Sequence, residues 1–357
     1  MKTAIIGLPM TGKTSLFTIL TGVTQESRIG STAVRTGVSK VPDLRVDALA
    51  ELYQPPKITF ATVEYIDVPA ISKETLREPA YLASLRVVDA FAHVLRVFQD
   101  ETVPHEHGSV DPARDFDDVE TELILSDMVV VEKRLERVDK DRKKTRNPDL
   151  DKEWELLTRC KEALDSNAPL RNLEFDKEDE KRIRGFQFLS QKPMLLVLNL
   201  GEEDAARLHQ VEEKYRTGPL AGKAHTAVTA VCGKIEAELA ELPAEDAREY
   251  LLSYGLKESA LQRIISATYG LLGLMSFLTA GDTEVRAWTI PIQSTAVVAA
   301  GAIHSDFEKK FIRAEVVNWK SLVDLGGYPG VREKGLLRLE GKEYIVKDGD
   351  VLVIRHS

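Results

Sequence analysis

The chain has very little sulfur to cross-link. Cys160 and Cys232 are its two cysteines in 357 residues, which excludes a disulfide framework. No apolar run approaches the roughly 18 residues that suggest a membrane span. The opening Met-Lys-Thr leads through a short apolar run straight into glycine and proline, without the longer apolar region and small-residue cleavage site of a secretory leader. A cytoplasmic protein is the expectation. An excess of positive charge is missing as well: the formal net charge is −9, so the protein as a whole does not attract nucleic acid. Any RNA contact needs a local basic patch, and KDRKKTRNPD supplies one, with Lys140, Arg142, Lys143, Lys144 and Arg146 against Asp141. A solvated hairpin end fits the same stretch. What is present, 43% hydrophobic and 29% charged residues, is the composition of a soluble globular protein of two or three domains, expected as a monomer.

Short apolar strands alternate with helical patterns up to about residue 112 (TAIIG, TVEYIDV, AFAHVLRVF), the signature of a parallel α/β sheet. Residues 113–192 change character. Val119, Leu123, Met128, Leu135 and Val138 mark one helical face, Trp154, Leu157, Cys160 and Leu164 another, and Asn147-Pro148 breaks the helix between them. This predicts an inserted antiparallel helical or coiled-coil arm with the basic run at its tip. KPMLLVLNL then returns to the sheet, AHTAVTAVCG reads as the next strand, and residues 235–278 read as mostly helical. From about Ala280, EVRAWTIPI, FIRAEVV and EYIVKDGDVLVIR with their Gly-Gly and Asp-Gly turns predict a β-rich C-terminal domain. The expected domains are therefore 1–112 plus 193–279, 113–192, and 280–357.

Gly7-Leu-Pro-Met-Thr-Gly12-Lys13-Thr14 satisfies G-x-x-x-x-G-K-[ST] between an apolar strand and a helical run. Residues Pro9 to Ser15 (Pro9, Met10, Thr11, Gly12, Lys13, Thr14, Ser15) then cradle phosphates at a helix N-terminus, with backbone N–H groups supplied by all of them but Pro9. In that geometry Lys13 reaches the β/γ oxygens and the Thr14 hydroxyl ligates Mg²⁺. Asp67 ends the strand VEYID, where an acid holds Mg²⁺ directly or through water; an acid capping a strand-end turn fits the position too. Asn199, Leu200 and Glu202 end LLVLNLGE, where such sheets recognise the base, although a strand-end turn has a similar look.

At this point the residues resemble a family. GLPMTGKTSLF, LNLGEED and HGSVDPARD, with LTAGDTEVRAWTI, GAIHSDFEKKFIRAEVV and EGKEYIVKDGDVLVIR in the tail, look like the YchF/Obg-like ATPases of the P-loop GTPase class. The resemblance covers nearly the whole chain. It implies a P-loop NTPase sheet, an inserted helical arm and a ubiquitin-like TGS-type C-terminal domain. It also implies that Asn199 and Glu202 form an NxxE pattern in place of NKxD, which goes with acceptance of ATP, and that Cys232 and Gly233 flank the base. Ser31, with Thr32 beside it, maps to the switch I threonine that completes Mg²⁺ coordination. His105 falls at a family histidine proposed to assist hydrolysis, and a solvated loop histidine fits it as well. The implied partner is the ribosome or its RNA, through the arm tip and the tail.

The chain also departs from that pattern. The D-x-x-G turn of switch II reads Asp67-Val68-Pro69-Ala70, and no glycine occurs between Asp67 and Gly108. Pro69 fixes its own φ and biases Val68 to an extended conformation, so the segment is expected to pack as one ordered turn or helix. Ile71 stands at the position of the GTPase glutamine and cannot orient water. Three functions follow as expectations: a slow Mg²⁺-dependent ATPase or GTPase acting as a regulator, a non-hydrolysing nucleotide-binding scaffold, and a small-molecule kinase. The TGS-like tail argues against the last.

Overall fold

The computed structural model describes residues 1–23, 34–72, 74–145, 147–256 and 258–357. Ser31, Thr32 and Arg146 lie outside the described residues. By its contacts the chain separates into two units, Met1–Val38 with Glu64–Ala267, and Ser39–Val63 with Thr268–Ser357.

The first unit is built on a six-stranded sheet. Its strands are β1 (Lys2–Ile6), β2 (Arg35–Lys40), β4 (Thr62–Asp67), β5 (Ala90–Arg96), β6 (Met194–Asn199) and β7 (Thr226–Val231) in the order β2-β4-β1-β5-β6-β7, while β3 (Ile58–Thr59) belongs to the other sheet. The pairs of β1 with β4 and β5, of β5 with β6, and of β6 with β7 are parallel. Every residue of β5 and β6 is buried, as apolar strands covered on both faces must be. Register aligns the carboxyl ends: Ile5 pairs with Asp67, Ile6 with His93, and Asn199 with both Arg96 and Val231. The loops that leave these ends therefore meet on one edge of the sheet, where ligands bind in such folds.

Helix α1 (Lys13–Thr21) follows β1 and buries Leu16, Phe17 and Leu20; α2 (Leu44–Tyr53) belongs to the second unit, and α3 (Pro79–Arg86) follows β4. The arm is α4 (Pro112–Lys144) and α5 (Pro148–Asp165). Asp111 caps α4 by accepting from the Ala113 and Arg114 N–H groups, and Asn147 caps α5 from the Asp149 N–H, each before a proline in the first turn. α4 serves two cores in succession. Its Phe116, Val119 and Leu123 join the sheet core, whereas Ile124, Val131 and Val138 pack with Leu156, Leu157, Cys160 and Leu164 of α5. The arm's base is polar and buried: Asp127 accepts from the Leu189 and Ser190 N–H groups and the Ser190 hydroxyl at 2.7–2.9 Å, and Arg171 pairs with Glu120. Removing one partner of such a buried pair leaves an uncompensated charge.

The second unit holds a mixed sheet in the order β11-β10-β12-β8-β9-β3. Its remaining strands are β8 (Leu274–Ala280), β9 (Val285–Pro291), β10 (Phe311–Asn318), β11 (Arg338–Glu340) and β12 (Asp350–His356). β8 and β9 form an antiparallel hairpin, and β12 lies parallel to β8, the arrangement of a ubiquitin-like sheet. The helix Ala296–Ile303 contributes Ala296, Ala299 and Ala300 to one core, and α2 contributes Val46 and Leu49 to another.

Two features depart from the sequence reading. Residues 39–63 pack with the C-terminal strands because β3 adds parallel to β9 and Ala61 shares a core with Leu278 and Val285. β8 begins at Leu274, inside the stretch expected to be helical. Its Met275–Leu278 run is buried throughout, and such a run has no period to separate it from a buried helix.

Candidate nucleotide site

The loop between β1 and α1 begins at Gly7 and turns at Gly12, with φ of 144° and 96°. Both positions need glycine for space as well as for backbone freedom. A Cβ at Gly7 would lie 2.6 Å from the Val94 carbonyl oxygen, and one at Gly12 would lie 2.3 Å from Asn199 Nδ2. Below the loop is His93, fully buried, whose imidazole is pushed down to about 3 by burial, with Lys13 and Arg171 adding to the effect. It is therefore neutral beside the Lys13 cation.

Lys13 opens α1 and its Nζ donates to the Leu8 carbonyl at 2.6 Å, folded back into the loop. Burial lowers the ammonium pKa from 10.5 to about 8, against the pull of Asp67 and Glu106. Glu106 was not singled out from the sequence; its charge acts on Lys13 because its loop follows β5 at the same sheet edge. The Thr14 hydroxyl donates to Asp67 Oδ2 at 3.3 Å, so the two oxygens foreseen as metal ligands do converge. An alcohol oxygen and a buried carboxylate are the hard donors that Mg²⁺ takes, and the residues fit the ion. Arg35, at the start of β2, reaches the same two groups: Nη2 donates to Thr14 Oγ1 at 3.2 Å and pairs with Asp67 Oδ2.

Asn199 is a clamp. Its Nδ2 donates to the Thr11 carbonyl at 3.0 Å and its Oδ1 accepts from the Gly233 N–H at 3.1 Å, joining the phosphate loop to the loop after β7. Leu200 is buried and donates its N–H to the Val231 carbonyl at 2.8 Å. Glu202 is paired with Lys234 at 2.7 Å. Cys232 is buried, its thiol pushed up to about 12 by that burial, so it is a protonated wall group rather than a nucleophile. Arg96, also unforeseen, is buried at the end of β5 and donates to the carbonyls of Phe98, Asp100, Val103 and Pro104, which shapes the loop that carries Glu106.

The switch II segment is ordered on both sides of residue 73. The Ile71 N–H reaches the Gly7 carbonyl at 3.4 Å and its side chain is buried in the sheet core. Tyr81 OH donates to the Pro69 carbonyl at 3.0 Å, and Thr75 Oγ1 to the Ala70 carbonyl at 3.1 Å. His105 is neither solvated nor aimed at the phosphate loop. Its side chain is 5% exposed, Nε2 lies 2.9 Å from Asp115 Oδ2, and Nδ1 accepts from the His107 N–H at 3.2 Å. The neighbouring Glu106 and His107, with Leu8, Ile71 and Asp118, line a cleft of about 430 Å³. At the arm tip Arg142 pairs with Asp151 at 2.6 Å and lies over the Trp154 ring, and Lys143 pairs with Asp139, while Lys140 and Lys144 are exposed.

A mostly parallel sheet that feeds a Gly7–Thr14 loop into a helix, with an acid at the end of the neighbouring strand, defines the P-loop NTPase fold. A solved structure of the Schizosaccharomyces pombe YchF GTPase is similar over 99% of this chain and 97% of its own, with a TM-score of 0.83 and 28% identity. The YchF-GTPase_C family model, described as "Protein of unknown function (DUF933)", matches residues 274–357. The "Ribosome-binding ATPase YchF" of Bacillus subtilis is 40% identical over 364 residues, covering 100% of this chain and 99% of the relative. The protein of the same description from Escherichia coli O157:H7 is 38% identical over 98% of each chain. The chain belongs to the YchF family.

Proposed function

We propose that this protein binds a purine nucleoside triphosphate, ATP or GTP, with Mg²⁺ and hydrolyses it slowly, as a regulator that works with the ribosome in the cytoplasm. The observation that carries the reading is the convergence of Lys13, Thr14 and Asp67 at one end of α1, backed by full-length relatives described as ribosome-binding ATPases. Lys13 holds the β/γ oxygens once it leaves the Leu8 carbonyl, and the N–H groups of Met10 to Ser15, in the loop that Pro9 helps to shape, receive the remaining phosphate charge. Thr14 and Asp67 hold Mg²⁺, which offsets the charge on those oxygens; Ser31 and Thr32 are offered as further ligands. Asn199, Leu200, Glu202, Cys232 and Gly233 take the base. Hydrolysis is slow on this reading because Ile71 has no group with which to orient water, and His105 is engaged by Asp115. Binding of a fluorescent ATP analogue by wild type, and its loss in Lys13→Ala, tests the grip; equal binding by both proteins removes the reading.

A second reading is favoured by one specific feature. Pro69, Ala70 and Ile71 are each tied by a hydrogen bond to a neighbouring element or side chain, which supports a holder of nucleotide that does not cut it. In that case ATP stabilises the fold by linkage, with no turnover even beside ribosomes. On either reading the ribosome meets the arm tip, where Lys140, Lys143 and Lys144 are exposed, and the C-terminal sheet.

A further inference from the structure

We propose that Arg35 is a built-in competitor for Mg²⁺: its guanidinium holds the Thr14 hydroxyl and the Asp67 carboxylate, and the metal must displace it to bind. The proposal rests on the reading of Thr14 and Asp67 as metal ligands given above.

The geometry is that of a held side chain. Arg35 Nη2 lies 3.2 Å from Thr14 Oγ1 and pairs with the same Asp67 Oδ2 that Thr14 contacts. Its guanidinium carbon stands 5.4 Å from the centroid of the buried Phe17 ring, on the helix that carries Thr14. The Asp67 side chain is 6% exposed and that of Arg35 19%, so the pair is largely shielded from water. Arg35 opens β2, the strand beside β4, and β4 ends at Asp67, so the sheet itself delivers the cation to the carboxylate.

The chemistry follows from what each cation demands. A carboxylate buried this far needs a counter-charge, and the Arg35 guanidinium supplies one. Mg²⁺ requires its oxygen ligands at close range in a near-octahedral shell and repels a second cation on the same oxygen. The two therefore exclude each other. Arg35 offsets the Asp67 charge, and the metal enters only as the side chain swings away. Metal affinity is reduced by what the displaced bonds were worth. Charge-assisted hydrogen bonds of this kind contribute about 1.5–3 kcal/mol, or roughly tenfold or more in an equilibrium constant.

The test is equilibrium binding of a fluorescent ATP analogue to the full chain over a Mg²⁺ series, for wild type, Arg35→Gln and Arg35→Lys. Competition lowers the half-saturating Mg²⁺ concentration of Arg35→Gln by roughly tenfold, and lowers that of Arg35→Lys, which keeps the charge but loses the guanidinium, by less. Melting of each protein without nucleotide shows that it folds, and Arg35→Lys carries the comparison if Arg35→Gln does not. In that event an unchanged or raised half-saturating Mg²⁺ concentration for Arg35→Lys overturns the proposal. An unchanged or raised Mg²⁺ requirement in Arg35→Gln overturns it while leaving the metal site in place. If wild-type binding ignores Mg²⁺ and Asp67→Asn changes nothing, the metal site itself is refuted and the proposal goes with it.

Discussion

Asn199 Nδ2 donates to the carbonyl of Thr11 at 3.0 Å, which ties the end of β6 to the middle of the phosphate loop. The other end of the same amide takes the Gly233 N–H at 3.1 Å, so one side chain sets the spacing between the Gly7–Thr14 loop and the loop after β7.

Asn199→Ala leaves a buried carbonyl and an N–H without partners. The expected cost is about 1–3 kcal/mol of stability together with weaker nucleotide binding. Asn199→Asp does worse, since it replaces the donor facing the Thr11 carbonyl with an acceptor. Melting without nucleotide and titration with a fluorescent analogue check both; an unchanged melting temperature in Asn199→Ala means the clamp carries no strain-bearing role.

Lys13 sets a pH dependence. Burial lowers its pKa from 10.5 to about 8 in the folded protein, with Asp67 and Glu106 opposing the shift. Between those two values the unfolded chain binds the extra proton, so the stability of the nucleotide-free protein rises with pH from about 8 to 10.5; below about 8 the full cost of the buried charge is present. Lys13→Met lacks that rise and is more stable than wild type at pH 7 by up to about 3 kcal/mol. Nucleotide affinity moves the other way, weakening as pH climbs past about 8 and Lys13 loses its charge. Denaturant melts across pH 7 to 10.5 read the first effect. Titrations over the same range read the second.

Tyr81→Phe removes the donor that pins the Pro69 carbonyl. Stability falls by about 1 kcal/mol, and single-turnover hydrolysis speeds up because the turn after Asp67 is freed. A melting temperature that drops while the rate stays fixed separates the pin from the slow chemistry.

At the arm tip the cations are unequal. Arg142 and Lys143 already have acid partners, and Arg142 also covers Trp154. Replacing Lys140 and Lys144 with Ala weakens ribosome binding and lowers its salt slope by roughly two. Arg142→Ala acts mainly on arm stability. Equal slopes for the two variants remove the tip from the contact.

The parts of this protein legible in its sequence are those whose chemistry is contiguous. Gly7 to Thr14 lie in one loop, the arm's apolar faces repeat at helical spacing, and β6 ends directly in Asn199. Arg35, Arg96, Glu106 and Lys234 gave no such signal, because each becomes part of the site only when sheet register brings separate loops to one edge. His105 shows the same limit from the other side. Its position near a family pattern suggested chemistry, but Asp115, ten residues on, reaches back from the first turn of α4 and engages the ring. The placement of residues 39–63 was hidden for a simpler reason: a two-residue strand has no periodicity to read.

The most direct test of the account is single-turnover hydrolysis of radiolabelled ATP with Mg²⁺ by purified wild type and Lys13→Ala. Slow phosphate release by wild type, and none above background by the variant, is the expected result. Equal release by both proteins, or none from a wild type that still binds ATP, contradicts it.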